Sequence, residues 1–450
     1  MLKLRQLWGN LHSSFWFVPS LMVLVSILLA IGLIEADTAG SDRWLGQWPR
    51  LFGVGAEGSR QMLATLAGSM MTVLGVTFSM TLVALTLASS QYTSRILRNF
   101  MRSRVTQGTL GTFAGIFTYC LIVLRTIRSS GGIDFVPGLA VFFGFVLALC
   151  SVGVLIFFIH HIASSIQASS IIASVARETM AVIEQLFPEP SGPATADDGD
   201  ASQGRRVRNE ATWRPIPAAE TGYIQSVDRE ALLRLALARQ TTLRMERGVG
   251  DFVVRKTALA SLAQQDPLDQ ETITALNASY SISSHRTVAQ DPAFGIRQIV
   301  DMALKALSPG VNDTSTAVMC IDYLTAILAL LVTRDIPSSL RDQDGELRMI
   351  FLGPDFESLL DDSFDQIRSS GAGNVAIMAR ILGALETISG QTSSARYRRA
   401  LREQVQQIAE LVARSVAAPH DRARIDERIS RVCKALATAP QLNRNKTKPD

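Results

Sequence analysis

Four long stretches of the sequence contain no Asp, Glu, Lys or Arg. They are residues 6–34, 61–94, 105–124 and 135–176. A helix needs about 20 apolar residues to cross about 30 Å of hydrocarbon, and each stretch reaches that length. A soluble protein rarely buries four such stretches within its first 180 residues. The pattern therefore predicts an integral membrane protein.

These stretches predict four transmembrane helices. A cleaved signal peptide is the alternative for the first, because Lys3 and Arg5 precede it. Its apolar region exceeds the usual 7–15 residues of a signal peptide, and three more spans follow, which favours a retained helix. The predicted spans are Phe15–Ile34, Met62–Leu87, Leu110–Leu124 with its flanks, and Phe135–Ile159.

The composition excludes several other classes of protein. Only 19% of the residues are charged and the mean hydropathy is +0.20, whereas soluble chains average about 25% charged residues. A net charge of +4 is too small to indicate a nucleic-acid partner. The four cysteines lie far apart, which predicts reduced packing residues instead of a disulfide framework or a zinc site.

Basic residues in the short loops predict the orientation. The loop after the second span carries Arg95, Arg98, Arg102 and Arg104 and no acid. Such loops remain in the cytoplasm, so we expect both termini to be cytoplasmic.

The second span carries hydroxyl side chains at every seventh residue. Small residues follow some of them three positions later, so one helix face is predicted to be small and polar. Such a face either packs against another helix or, in an oligomer, lines an aqueous path. No Asp, Glu, Lys or Arg lies within a predicted span, which argues against an ion-coupled transporter. The face comprises Thr65, Thr72, Ser79, Thr86, Gly68 and Gly75.

The chain after the spans divides by composition. Residues 1–187 are predicted to form the four-span domain with a cytoplasmic stalk helix, and residues 188–219 a flexible linker rich in Pro and charge. A small β-rich module over 220–265 and a helical cytoplasmic domain over 266–437 follow. Residues 438–450 are predicted to be a disordered basic tail. The fold class is thus an α-helical membrane protein with a C-terminal cytoplasmic α+β region.

The segment after residue 283 contains the strongest candidates for helix capping and ligand binding. Asp291 before Pro292 predicts a helix start, and Asn312 or Asp313 caps the next helix, which runs to Leu331. The turn between the two helices suggests a corner that binds a small anionic ligand, and simple helix capping is the alternative. The residues of this predicted corner are Arg286, Arg297, Asn312 and Asp313.

Several segments together resemble a bacterial family of predicted membrane proteins, the domain of unknown function 2254. They include FSMTLVALTLASSQYTSRILRNFMRSR, TYCLIVLRTIR, IHHIASSIQ, GYIQSVD with GDFV, and RTVAQDPAFGIRQIVDMALKALSPGVND. The resemblance implies a four-span inner-membrane protein with a cytoplasmic C-terminal region. One departure is Thr314 after Asp313, where a proline would be expected.

The sequence contains no residue order typical of a catalytic triad, no phosphate-binding glycine loop and no metal-ligand spacing. We therefore expect neither an enzyme nor a bound cofactor or metal. The hypothesis is a homo-oligomeric passive channel for an ion or small solute, modulated by its cytoplasmic domain. The alternative is a membrane-anchored sensor or scaffold whose cytoplasmic domain binds a ligand or a protein.

Overall fold

The computed structural model forms two compact units, Met1–Ser170 and Ile171–Asp450. Most of the predicted linker, the arginine-rich loop after the second predicted span and nearly all of the predicted tail lie outside the described residues. The described residues are 16–38, 55–91, 104–130, 133–189, 212–264, 266–336, 340–343 and 346–438.

Four long helices lie among the described residues of the first unit, one at each predicted span. A short antiparallel hairpin of β1 (Arg128–Ser130) and β2 (Ile133–Phe135) joins the third helix to the fourth. The helices are α1 (Phe17–Thr38), α2 (Ala56–Gln91), α3 (Arg104–Thr126) and α4 (Gly138–Ser165). A long helix is therefore confirmed at each predicted span, with ends that differ from the predicted ones by two to six residues.

Helix α3 is the central helix and packs against the other three. Its glycines bring α1 close, because an added Cβ at Gly115 would lie 2.5 Å from Ser26 Oγ, and one at Gly111 2.6 Å from Met22 Sδ. Small residues allow this approach in lipid, where packing replaces the hydrophobic effect. One buried cluster of the unit is hydrophobic and includes the side chains of Leu63, Phe113, Ile116, Tyr119, Cys120 and Val123.

Contacts at the two ends of the unit show the directions of its helices. Asp37, in the last turn of α1, accepts hydrogen bonds of 3.2 Å from the backbone N–H groups of Leu139 and Ala140 at the start of α4. At the other end of the unit, Ala84 of α2 packs against Phe158 of α4. Consecutive helices therefore run in alternating directions.

The predicted stalk is a separate helix, α5 (Ala168–Leu186), and not a continuation of the fourth span. The Ser165 hydroxyl donates to the carbonyl of His161 at 2.6 Å, an i−4 bond that competes with the helical pattern. Helix α4 ends at Ser165, and α5 belongs mostly to the second unit.

The β-rich part of the second unit contains two sheets. An antiparallel sheet has the order β6–β4–β8, and a five-stranded sheet has the order β3–β7–β5–β10–β9, with only β5 and β10 parallel. The strands are β3 (Trp213–Pro217), β4 (Gly222–Val227), β5 (Leu243–Met245), β6 (Phe252–Val253), β7 (Ala258–Ala263), β8 (Tyr280–Ser283), β9 (Leu340–Gln343) and β10 (Glu346–Ile350), with helices α6 (Arg229–Ala238) and α7 (Gln270–Ala278).

Two features of these sheets differ from the sequence prediction. Strand β3 lies in the predicted flexible linker, where Pro215 and Pro217 are tolerated because β3 is an edge strand. Strands β8, β9 and β10 lie in the predicted helical domain. Strand β10 pairs with β5, about a hundred residues earlier, so its partner is not visible in the local pattern.

Helices complete the second unit. They are α8 (Pro292–Ala306), α9 (Thr314–Leu331), α10 (Phe356–Ser370), α11 (Val375–Ser389), α12 (Ala395–Ser415) and α13 (Pro419–Ala437). Asp291 caps α8 and Asp313 caps α9, so the two predicted helix starts are confirmed. Helix α9 and the four helices of the first unit are the five described helices that are long and apolar enough to cross a membrane.

Candidate functional site

The hydroxyl face of α2, which we define as Thr65, Thr72, Ser79, Thr86, Gly68 and Gly75, is exposed along its whole length in the single chain. Leu63 and Ala67 lie on the covered side of the same helix. Nine residues separate Leu63 from Thr72, which is two and a half turns at 3.6 residues per turn. The hydroxyl face therefore points away from α1, α3 and α4.

The threonines of the hydroxyl face donate to carbonyls of their own helix. Thr65 Oγ1 bonds the Gln61 carbonyl at 2.8 Å and Thr72 Oγ1 bonds the Gly68 carbonyl at 3.0 Å. Each hydroxyl oxygen keeps its lone pairs as acceptors, which point outward. Nothing lies within 4 Å of a Cβ built at Gly68 or Gly75. The face is thus shallow, polar and uncovered.

The second candidate site is an ion pair at the start of α8. Arg286 donates from Nε and Nη2 to Asp291 Oδ2 at 2.9 and 2.7 Å. Asp291 Oδ1 accepts the Phe294 N–H at 3.0 Å, which caps α8. Burial raises the pKa of Asp291 above the ordinary aspartate value, although Arg286 and the Phe294 N–H oppose that shift. The guanidinium of Arg286 also lies 5.2 Å from the centre of the Phe294 ring.

A loop of the β-rich module closes over this ion pair. Gly250 has φ +90°, and a Cβ there would lie 2.5 Å from Asp291 Oδ2 and 2.6 Å from Arg286 Nη2. Only glycine combines this conformation with this approach. Gln225 of β4 donates to the His285 carbonyl at 2.9 Å. The quoted segments GYIQSVD, GDFV and RTVAQDPAFGIRQ therefore converge on Arg286 and Asp291.

Arg297 lies nearly two turns after the Asp291 cap of α8 and is already paired. Its Nε lies 2.8 Å from Asp301 Oδ1. Burial raises the pKa of Asp362 on α10, while the nearby Arg297 and Arg286 oppose the shift. Both guanidinium groups therefore have carboxylate neighbours, and an anionic ligand would have to compete with them.

The other two residues of the predicted corner lie beyond the opposite end of α8. Asp313 accepts from the backbone N–H and the hydroxyl of Thr316, at 3.0 and 2.6 Å, and these bonds lower the pKa of its carboxyl. Asn312 adopts φ +49°, which asparagine tolerates well. Nine residues of helix after Arg297, rising about 1.5 Å each, separate Arg297 from the end of α8. Arg286 and Arg297 therefore share Asp362 as a neighbour at one end of α8, whereas Asn312 and Asp313 lie beyond the other end.

The stalk helix α5 contacts α8 immediately beside the ion pair. A Cβ built at Gly295 would lie only 2.0 Å from Thr179 Oγ1 of α5. Val182 of α5 packs with Val288 and Phe294. The ion pair, its cap and the stalk helix therefore share one packed region.

Sequence reasoning missed two features of the first unit. Asp37 lies beyond the predicted first span, yet it belongs to the last turn of α1 and accepts hydrogen bonds from the start of α4. Gly111 and Gly115 form a G-x-x-x-G pattern, and that spacing could have identified α3 as a close-packing helix.

Comparison with known proteins places these features in one family. The family described as predicted membrane protein (DUF2254) matches residues 12–387. An uncharacterized protein of Mycobacterium bovis is 31% identical over 378 residues, which cover 82% of this chain and 70% of the relative. An uncharacterized protein of Mycobacterium tuberculosis strain H37Rv matches with the same identity and coverage. No solved structure matches the chain. The chain therefore belongs to the DUF2254 family of predicted membrane proteins.

Proposed function

We propose that the protein is a homo-oligomer of the bacterial inner membrane in which α2 helices of neighbouring copies line a passive path for an ion or small solute. The observation that carries the proposal is the direction of the hydroxyl face, which none of the described helices covers. In a lone chain, this polar face would contact acyl chains. In an oligomer, the same face meets other copies.

The chemistry of the face favours a cation or a neutral polar solute. The Thr65 and Thr72 hydroxyls give their protons to helix carbonyls, so their oxygens present acceptors. Rings of such oxygens can replace part of the water around a cation. We place the path between copies because a cluster of buried hydrophobic side chains occupies the described four-helix unit.

Four spans are favoured over five by the surroundings of α9. Its residues Cys320, Leu324 and Leu328 are fully buried, and α8, α10 and α11 surround it. We assign α9 to the cytoplasmic region for this reason. With the arginine-rich loop in the cytoplasm, the alternating directions of α1 to α4 put both termini on that side.

Flux from reconstituted vesicles tests the proposal. The variant Thr72→Val removes a hydroxyl from the hydroxyl face and keeps the shape of the side chain. The matched control is Thr81→Val, because Thr81 is buried against the same chain and bonds the Thr77 carbonyl at 2.8 Å. We expect Thr72→Val to reduce cation flux several-fold and Thr81→Val to leave it unchanged in correctly folded protein. Flux no higher than in empty vesicles would refute the channel.

A sensor or scaffold is the second candidate function. It is favoured by the convergence of Gly250, the Arg286–Asp291 ion pair and the stalk helix on one end of α8. In this case, Arg297→Ala should weaken the binding of inorganic phosphate or a nucleotide more than it lowers the melting temperature. An equal loss of both would leave helix capping and packing as the sufficient explanation.

A further inference from the structure

The turn after strand β6 exposes two large apolar side chains on one side. Phe252 and Val254 are 51% and 50% exposed, while Val253 between them is buried. Strand β6 is an edge strand paired only with β4. Among the described residues of the second unit, only Val311 and Leu352 are large hydrophobic residues of comparable exposure. Exposed apolar surface is therefore concentrated at this turn.

Two cations follow directly. Arg255 and Lys256 are exposed, and neither has a side-chain hydrogen bond or ion pair with another described residue. The half-buried ring of Tyr223 lies edge-on to Phe252, with 5.0 Å between ring centroids. Aromatic and aliphatic side chains beside unpaired cations are the chemistry of a surface that enters the headgroup layer of a membrane.

The backbone of the turn is fixed by hydrogen bonds. The Thr257 N–H donates to the Val254 carbonyl at 3.0 Å, and the Lys256 N–H donates to the Ala218 carbonyl at 2.9 Å. The Arg255 N–H donates to Thr221 Oγ1 at 2.9 Å. The backbone that carries the exposed side chains is therefore fixed before any contact forms, which lowers the entropic cost of binding.

We propose that residues 252–256, the membrane turn, bind the surface of a bilayer that contains anionic lipids. Phe252 and Val254 enter the boundary of the acyl chains, and Arg255 and Lys256 contact lipid phosphates. The chain is already anchored in the bilayer by apolar helices, so the headgroups are present at high effective concentration and two apolar side chains suffice. This inference depends on membrane anchoring and not on channel activity.

The test uses the full chain in vesicles and a fluorophore on a single engineered cysteine. Cys150 and Cys433 are exposed and are replaced, whereas Cys120 and Cys320 are buried and stay. Val254→Cys carries the label at the membrane turn. Val311→Cys is the matched control, because Val311 is 51% exposed and no basic residue adjoins it.

In vesicles with anionic lipid, we expect nitroxide-labelled lipids to quench the label at position 254 at least twofold more than the label at 311. The difference should disappear in neutral vesicles and in a variant with Arg255→Glu and Lys256→Glu. Equal quenching at both positions would overturn the proposal. So would a blue-shifted label at 254 that lipids do not quench, because a protein surface would then cover the turn.

Discussion

Replacing Gly295 by alanine tests the contact between the stalk helix and α8. The new Cβ would lie 2.0 Å from Thr179 Oγ1 and 2.9 Å from Thr179 Cβ, whereas carbon atoms normally approach to about 3.5–4.0 Å. Thr179 cannot turn aside easily, because it is fully buried and its hydroxyl bonds the Val175 carbonyl at 2.7 Å. The two helices must therefore move apart.

Overpacking of this kind costs about 1–3 kcal/mol. If this cost lowers the free energy of local opening of α5 and α8, backbone amides in those helices should exchange about 5- to 150-fold faster. Hydrogen exchange measured by mass spectrometry on the full chain in detergent provides the assay. Peptides from α12 serve as an internal reference, because α12 packs elsewhere in the unit.

Two further variants decide the interpretation. Gly310→Ala is the control, since nothing lies within 4 Å of a Cβ there, and we expect a change below about 0.5 kcal/mol. Adding Thr179→Ala to Gly295→Ala removes the nearest atom and should recover about 1 kcal/mol in a double-mutant cycle. If the amide exchange rates of α5 and α8 in the Gly295→Ala and Gly310→Ala variants agree within twofold, the close contact at Gly295 does not stabilise the stalk helix.

Two predictions concern the rest of the second unit. Arg398 is buried and donates to five backbone carbonyls near the ends of α11 and α13. Thermal unfolding should show that Arg398→Ala lowers the free energy of unfolding by about 3 kcal/mol, whereas Arg399→Ala, at an exposed position, should leave it almost unchanged. Equal effects of the two variants would refute a stabilising role for Arg398. Hydrogen bonds from Thr272 and then Arg239 hold the pKa of Asp269 at about 2. At pH values above its ordinary pKa of 3.8, its carboxylate therefore stabilises α7, and this effect is lost as the pH falls towards 2. Asp269→Asn should flatten the pH dependence of amide exchange in α7 over that interval. An unchanged slope would contradict the role of this carboxylate.

Local signals were sufficient to predict most helices. Apolar length predicted α1 to α4, and capping residues such as Asp291, Asp313, Asn374 and Ser394 begin helices as their chemistry indicates. The heptad spacing of hydroxyls placed Thr65, Thr72 and the others on one face of α2. Spacing alone cannot say which way that face points, since direction depends on which side α3 and α4 cover.

Contacts between distant segments could not be predicted from the sequence. The approach of Gly250 to Arg286 and Asp291 joins residues from different elements, and each looks ordinary in its own segment. The grouping of Arg286 and Arg297 with Asn312 and Asp313 assumed that one turn gathers all four. The length of α8 separates them instead, because a helix spaces the groups at its two ends by its full rise.

The hydrogen bonds between Asp37 and the start of α4 also constrain how the protein is made. They join helices α1 and α4, and about a hundred residues are synthesised between the bonded groups. Helix α1 is therefore made before its partner, and its Asp37 carboxylate can accept these bonds only after residues 139 and 140 have been synthesised. A nascent chain that stops before residue 138 would leave α1 without this attachment.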